Sequence, residues 1–137
     1  MEVQLIAMSP RVLVIDDSRT TLEVVRVHLM NLGYDFITAG NASDAFSMAL
    51  QNPPDLIISD LFMPGVTGLD LCKKIRATPV LRKVPFVVIT AKKESVVRRD
   101  AFAAGVNGFL LKPIDAQQLR QLVAELLNRR RSAAGLR

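Results

Sequence analysis

Five short apolar stretches alternate with five amphipathic stretches along the chain, and this alternation predicts its architecture. The apolar stretches are rich in β-branched residues and bounded by turn-forming residues, which is typical of buried parallel strands. We predict strands at 11–15, 34–39, 56–60, 84–90 and 108–111. Apolar residues recur at helical spacing between them. Strands that alternate with helices in this way predict an α/β fold with a parallel sheet.

Polar caps and apolar stripes predict where the helices lie. Ser18, Asn41, Thr67 or Gly68, and Asp115 stand at the expected starts. We expect the first helix to end at Gly33, with an apolar side formed by four residues: Leu22, Val25, Leu29 and Leu32. The third helix is expected to use Leu69, Cys72 and Ile75.

The fourth predicted helix, from roughly Glu94 to Ala104, has the weakest apolar side of the five. Its centre carries charged residues among small alanines. Because segments that switch conformation come from the least stable parts of a fold, we expect this helix to be the element that moves.

Length and composition favour one small domain. The chain has 137 residues, of which 50% are hydrophobic, enough for a single core. We expect an N-terminal extension at 1–9, the domain at 10–128 and a basic tail or linker at 129–137. No apolar run approaches the roughly 18 residues of a membrane helix, so we expect no membrane insertion. The single cysteine, Cys72, cannot form an internal disulfide, which suits a cytoplasmic protein.

The net charge of +5 is concentrated at one end of the chain. Four positive charges belong to arginines between 129 and 137, which leaves +1 for the rest. No helix-turn-helix pattern or zinc-ligand spacing accompanies them. We therefore expect a solvated tail, a linker or a weak phosphate-contacting arm, and consider nucleic acid an unlikely partner for this chain.

Polar and charged side chains follow four of the predicted strands, at the point where each ends. In open α/β sheets, the ligand crevice lies beyond the carboxyl ends of the strands. The groups that would meet there are three carboxylates, a hydroxyl and an ammonium: Asp16, Asp17, Asp60, Thr90 and Lys112.

Clustered carboxylates repel one another unless a cation compensates their charge. Mg²⁺ takes oxygen ligands and retains positions for phosphate oxygens. Lys112 and Thr90 suit the remaining phosphoryl oxygens, as a point charge and a neutral donor. These residues therefore predict transfer of a phosphoryl group onto Asp60.

These motifs resemble the receiver domain of two-component response regulators over roughly residues 10 to 130. The resemblance is carried by four segments in the family's order and spacing: Asp16-Asp17, Asp60 followed by Met63-Pro64-Gly65, Thr90-Ala91, and Lys112-Pro113. It implies a flavodoxin-like doubly wound sheet of five parallel strands, in the order 2-1-3-4-5, with five helices.

The resemblance also implies a role for each site residue. Asp60 would be the phosphoacceptor, Asp17 a direct Mg²⁺ ligand, and Asp16 a ligand acting mainly through water. The backbone carbonyl of Phe62 would complete the metal ligands. Three further implied features are phosphoryl binding by Thr90, Ala91 and Lys112, a switch formed by Thr90 and Phe109, and a cis peptide between Lys112 and Pro113.

Such a domain is a phosphoacceptor that assists its own phosphorylation and dephosphorylation, and is not counted as an enzyme. The implied partners are a sensor histidine kinase or phosphotransfer protein and an unknown downstream protein target. A phosphorylation-dependent homodimer is also compatible with the resemblance. Two positions flank the path of water to the phosphoryl group, and here they hold Phe62 and Lys92, which we expect to tune phosphate lifetime.

Other classes fit the residues less well. A flavodoxin needs a loop after the first strand that cradles phosphate, and Asp16-Asp17 would repel one. A phosphatase of the haloacid dehalogenase type needs a second acid two residues after its nucleophile, which Asp16-Asp17-Ser18 lacks. The only histidine, His28, is more typical of a surface residue than of a relay phosphoacceptor. Two alternatives stay open: a receiver-like interaction module independent of phosphorylation, and the excised receiver of a longer regulator.

Overall fold

The computed structural model describes residues 9–133, in which helices cover both faces of one five-stranded sheet. The elements, in chain order, are β1 (Arg11–Ile15), α1 (Arg19–His28), β2 (Asp35–Ala39), α2 (Ala42–Gln51), β3 (Leu56–Asp60), α3 (Gly68–Arg76), β4 (Phe86–Thr90), α4 (Ser95–Ala103), β5 (Gly108–Leu111) and α5 (Ala116–Ala133). All neighbouring strands pair in parallel, in the order β2-β1-β3-β4-β5. The predicted flavodoxin-like doubly wound fold is confirmed.

Alternate residues of each strand fill two separate cores, because successive strand side chains point to opposite faces. In β1, Leu13 and Ile15 face the core covered by α2, α3 and α4. Val12 and Val14 face the core covered by α1 and α5. The central strand β3 is buried throughout, so it can present a functional group only at its end.

Polar side chains cap four of the five helices, as the sequence predicts. In each case a side-chain oxygen accepts a hydrogen bond from a backbone N–H in the first turn, which satisfies one otherwise unpaired donor. The capping residues are Ser18, Asn41, Thr67 and Asp115. Glu94, which precedes α4, makes no such bond.

The predicted end of the first helix at Gly33 is wrong. Helix α1 ends at His28, because Asn31 and Gly33 both adopt left-handed backbone conformations, with φ of 65° and 84°. A residue in that region cannot continue a right-handed helix. Leu32 therefore lies outside the helix and is 45% exposed, and does not belong to the buried apolar side.

The start of α3 lies unusually close to the end of β3. A Cβ atom at Gly68 would stand 2.4 Å from the backbone oxygen of Asp60 and 3.1 Å from the Cα of Leu61. Only glycine allows this approach. The buried side of α3 includes Leu71, which the sequence interpretation omitted, besides Cys72 and Ile75.

Helix α5 continues without a break to Ala133 and so passes the expected domain boundary at 128. Within it, the guanidinium of Arg130 lies 3.9 Å from Asp55 and donates to the carbonyl of Lys83. Residues 1–8 and 134–137 lie outside the described part, so the division into extension, domain and tail stays a prediction. Among residues 9–133, none of the helices combines the length and apolar character needed to cross a membrane.

Candidate functional site

The carboxyl ends of β1, β3, β4 and β5 bring the predicted chemical groups to one edge of the sheet. The parallel register places Ile15 beside Ser59, and Asp60 beside Ile89. On the far side of β4, Thr90 pairs with Leu111. The residues that follow these positions therefore meet in space, although they are up to 96 positions apart in sequence.

Three carboxylates form the centre of the site. Asp16, Asp17 and Asp60 each offer a ligand oxygen, and these atoms lie within 4.8 Å of one another. Asp16 and Asp60 are buried, whereas Asp17 is exposed. One oxygen of Asp16 accepts a hydrogen bond from the backbone N–H of Ser18 at 2.8 Å, which fixes the orientation of that carboxylate. The three acids thus form an oxygen-rich cup open on one side.

Lys112 approaches the cup from β5 and contacts both buried acids. Its ammonium lies 3.4 Å from Asp16 and 3.6 Å from Asp60. The lysine side chain is 29% exposed, so it can bind an incoming group as well as the acids. One ammonium cannot neutralise three carboxylates, which leaves the cluster with an excess of negative charge.

The surroundings of Asp60 shift the pKa of its carboxyl group in opposing directions. Burial raises its pKa above the ordinary value, and the neighbouring Asp16 raises it further. Lys112 and the backbone N–H groups of Leu61 and Phe62 act in the opposite direction and lower the pKa. Burial and the like charge prevail. A cation in the cup would favour the ionised carboxylate.

The donor set fits a hard divalent cation. Such cations prefer carboxylate and carbonyl oxygens, and the cluster consists of three carboxylates, with no cysteine or histidine belonging to it among the described residues. The site can therefore hold a metal ion.

The β4 end supplies Thr90, which is 2% exposed. Its hydroxyl oxygen accepts a hydrogen bond from the backbone N–H of Lys92 at 3.1 Å, and its carbonyl accepts from the N–H of Lys112 at 2.9 Å. Ala91 and Lys92 are exposed. Thr90 thus links the loop after β4 to the loop after β5.

Two aromatic residues flank the site in different ways. Phe62, two residues beyond the end of β3, is 50% exposed. Phe109 of β5 is only 9% exposed, and the guanidinium carbon of Arg98 lies 5.5 Å from its ring centroid. The peptide bond between Lys112 and Pro113 is cis.

Sequence reasoning assigned no role to two residues near the site. Ser59 is fully buried, and its hydroxyl donates to the backbone carbonyl of Asp60 at 2.8 Å. A polar residue inside an apolar strand was the available clue. No clue in the sequence indicated the contact between Arg98 and Phe109, because that contact depends on how α4 packs against β5. His28 lies at the opposite end of α1 from the site, about 14 Å along the helix axis from its start.

Comparisons with known proteins agree with this geometry. The family model for the response regulator receiver domain matches residues 12–124. The chain is 34% identical over 138 aligned positions to the response regulator PleD of Caulobacter vibrioides, covering 95% of this chain and 30% of PleD. It is 31% identical over 122 positions to the chemotaxis protein CheY of Pseudomonas aeruginosa, covering 87% of this chain and 97% of CheY.

A solved structure supports the same relationship. The chemotaxis response regulator CheY4 of Vibrio cholerae superposes with a TM-score of 0.81 at 28% identity, covering 87% of this chain and 99% of that one. The chain spans nearly all of CheY, less than a third of PleD, and about half of several further regulators.

Proposed function

Because the chain belongs to the family of response regulator receiver domains, we propose that it accepts a phosphoryl group on Asp60 and thereby switches its affinity for a partner. The observation that carries the proposal is the convergence of Asp16, Asp17 and Asp60 with Lys112 at one edge of the sheet. A single aspartate at the end of a strand would not be enough to support phosphorylation.

Asp60 supplies the nucleophile. One of its carboxylate oxygens forms a bond to phosphorus, while the bond from phosphorus to a nitrogen of the donor phosphohistidine breaks. The leaving imidazole keeps the electron pair and takes up a proton. This transfer requires little covalent help from the protein, so positioning and charge stabilisation account for most of the catalysis.

Lys112 neutralises charge on the phosphoryl group, since its ammonium already lies within 3.6 Å of Asp60. Thr90 and Ala91 stand at the carboxyl end of β4, the strand that pairs with β3. The Thr90 hydroxyl exchanges its present backbone partner, the N–H of Lys92, for a phosphoryl oxygen.

Asp16, Asp17 and Asp60 would hold Mg²⁺, with the backbone carbonyl of Phe62 as a further ligand. We propose Asp17 as the direct ligand, because it is the exposed residue of the three, and Asp16 as a ligand acting mainly through water. The ion would neutralise negative charge that the acids and the phosphoryl group share.

Phosphorylation then shifts a two-state equilibrium. The new group adds about two negative charges and three acceptor oxygens. Movement of the Thr90 hydroxyl towards it vacates space that the ring of Phe109, 9% exposed in this structure, fills by turning further inward. The surface of α4, β5 and α5 changes with it and presents a different face to a partner.

The donor would be a sensor histidine kinase or a phosphotransfer protein in the cytoplasm. The receiver assists its own phosphorylation and dephosphorylation and is not an enzyme in the usual sense. Its downstream target would be another protein, and a phosphorylation-dependent homodimer is a further proposal. The match to part of PleD and nearly all of CheY fits both a domain of a longer regulator and a single-domain protein.

Metal-dependent labelling tests the proposal. The parent protein, incubated with a small phosphodonor and Mg²⁺, should gain one phosphoryl group by intact-mass measurement, and chelation of the metal should prevent it. Asp17→Ala should weaken the metal dependence more than Asp16→Ala. Equal effects of the two substitutions would contradict the division of ligand roles.

A further inference from the structure

The two ends of α4 are held very differently. At its N-terminal end, which leaves directly from the site, residues 91–96 are all exposed and Glu94 provides no side-chain cap. At its C-terminal end, Gly105 adopts a left-handed conformation with φ of 103°. There the N–H of Val106 donates to the carbonyl of Ala101 at 3.2 Å, and the N–H of Gly105 donates to the carbonyl of Phe102 at 3.1 Å. These two hydrogen bonds cap the C-terminus of the helix.

Two side chains of α3 donate hydrogen bonds to the backbone carbonyls of Ala104 and Gly105, just beyond the end of α4. The thiol of Cys72 lies 3.5 Å from the carbonyl oxygen of Ala104. One turn further along α3, the guanidinium of Arg76 donates twice to the carbonyl of Gly105, at 2.8 and 3.0 Å. A cation at a helix C-terminus also complements the helix dipole.

The same guanidinium reaches the segment that enters β4. Arg76 donates to the carbonyl of Val84 at 2.7 Å and to the side-chain oxygen of Asn107 at 2.7 Å. Asn107 in turn accepts from the backbone N–H of Phe86 at 2.8 Å. Arg76 thus joins the end of α3, the start of β4 and the loop between α4 and β5, at the opposite end of the sheet from Asp60.

We propose that α4 pivots about this anchor, with Arg76 as the residue that positions it. Between its ends, α4 buries only Ala101, so little else fixes its direction. A change at Thr90 moves the uncapped start of the helix, while the end at 104–107 stays in place. The trigger for the movement rests on the proposed phosphorylation of Asp60; the anchor itself does not.

Hydrogen exchange resolved to single amides tests the anchor without any phosphoryl group. The amides of residues 104–107 all donate to backbone carbonyls and should exchange more slowly than those of 97 and 98. Arg76→Met should speed exchange at 104–107 by a factor on the order of 10 to 100, relative to strand amides. Arg76→Lys keeps the charge and should restore part of the protection. Lys73→Met, at an exposed position of the same helix, is the control and should change nothing.

An unchanged rate at 104–107 in both Arg76 variants, or an equal rise across the whole chain, would overturn the anchor. If Arg76→Met fails to fold, the smaller local rise expected for Arg76→Lys decides the question by the same criterion.

The pivot is tested by adding beryllium fluoride and Mg²⁺ as a phosphoryl mimic. In the parent, exchange should change at 91–99 and stay constant at 104–107, whereas in Arg76→Met the change should spread to 104–107. A parent response that includes 104–107 would overturn the pivot alone. No response at 91–99 in a protein that is still labelled by the phosphodonor would overturn the pivot alone. Absence of both the response and the labelling would overturn the proposed function, and the anchor result stands in either case.

Discussion

The character of the site at the residue scale comes from one lysine placed between two buried acids. Lys112 lies within 3.6 Å of both Asp16 and Asp60, yet the pKa of Asp60 is still raised by burial and by Asp16. The cluster is therefore electrostatically incomplete. Under the proposed function, a cation would offset this excess of negative charge before a phosphoryl group adds to it, which would make the two events interdependent.

Lys112 and Thr90 should act at different stages of the proposed switch. Lys112→Ala removes a charge-assisted contact worth about 1.5–3 kcal/mol, so labelling of Asp60 should slow by about 10- to 100-fold. Thr90→Ala removes a neutral hydroxyl and should leave labelling within about threefold. It should, however, abolish the hydrogen-exchange change around Phe109 that beryllium fluoride produces. Lys93→Ala, an exposed neighbour, is the control for lost charge. A normal response around Phe109 in Thr90→Ala would remove the hydroxyl from the switch.

Phe62 should lengthen the lifetime of phosphorylated Asp60. Its ring is 50% exposed beside the site and carries no group that could orient water, so we expect it to shield the acyl phosphate. We expect Phe62→Asn to lose its phosphate about threefold faster or more than the parent, at fixed Mg²⁺ and pH. Val66 lies on the same loop and is similarly exposed, so Val66→Asn is the control and should lose its phosphate at the rate of the parent. Equal decay in the parent and Phe62→Asn would refute shielding. Replacing Lys92, whose side chain is exposed, tests the second tuning position.

Cys72 should make stability fall with alkaline pH. Burial raises its pKa from 9.0 to about 11. Between these values the unfolded chain loses the thiol proton and the folded chain keeps it. The unfolded state then binds fewer protons, so the free energy of unfolding falls as pH rises. From about pH 8 to about pH 10, the parent should lose about 1 kcal/mol more than Cys72→Ala, measured by urea unfolding. If the free energy of unfolding fell equally with pH in the two proteins, burial would not be raising the pKa of the Cys72 thiol.

At the scale of elements, the site depends on how closely α3 packs against the end of β3. Gly68 permits that approach, and its N–H donates to the carbonyl of Leu61 at 2.8 Å. Gly68→Ala should therefore cost about 1–3 kcal/mol in urea unfolding and also weaken Mg²⁺ binding, because Asp60 must shift. Gly40→Ala is the matched control, since its added Cβ would meet nothing within 4 Å, and it should stay within about 0.5 kcal/mol. Similar losses in both variants would indicate a general glycine effect.

Helix starts followed from sequence wherever a polar cap preceded an apolar stripe. Asn41, for example, stands at the expected start of α2 and caps that helix. The end of α1 was missed because Gly33 was the visible stop, whereas the helix had already ended before the left-handed Asn31. Asparagine adopts that conformation only in some contexts, so its sequence alone did not indicate it.

At the scale of the whole molecule, the strand order explains why the site could be inferred from sequence. Parallel strands place all their carboxyl ends at one edge, so residues that follow strands converge whatever their sequence separation. Asp16, Asp60 and Lys112 were predictable on that ground. The Arg76 anchor was not, because most of its partners are backbone carbonyls, which every residue possesses. Contacts of that kind depend on the packing of three segments and leave no pattern in the sequence.

Locating the phosphoryl group tests the central claim most directly. The parent protein should be labelled with a phosphodonor and Mg²⁺, reduced with borohydride, which converts an aspartyl phosphate to homoserine, digested and mapped by mass spectrometry. The account predicts conversion at Asp60 alone, and none in Asp60→Asn, whose fold should persist by circular dichroism. Conversion at another residue of the parent, or labelling that persists in Asp60→Asn, would contradict it.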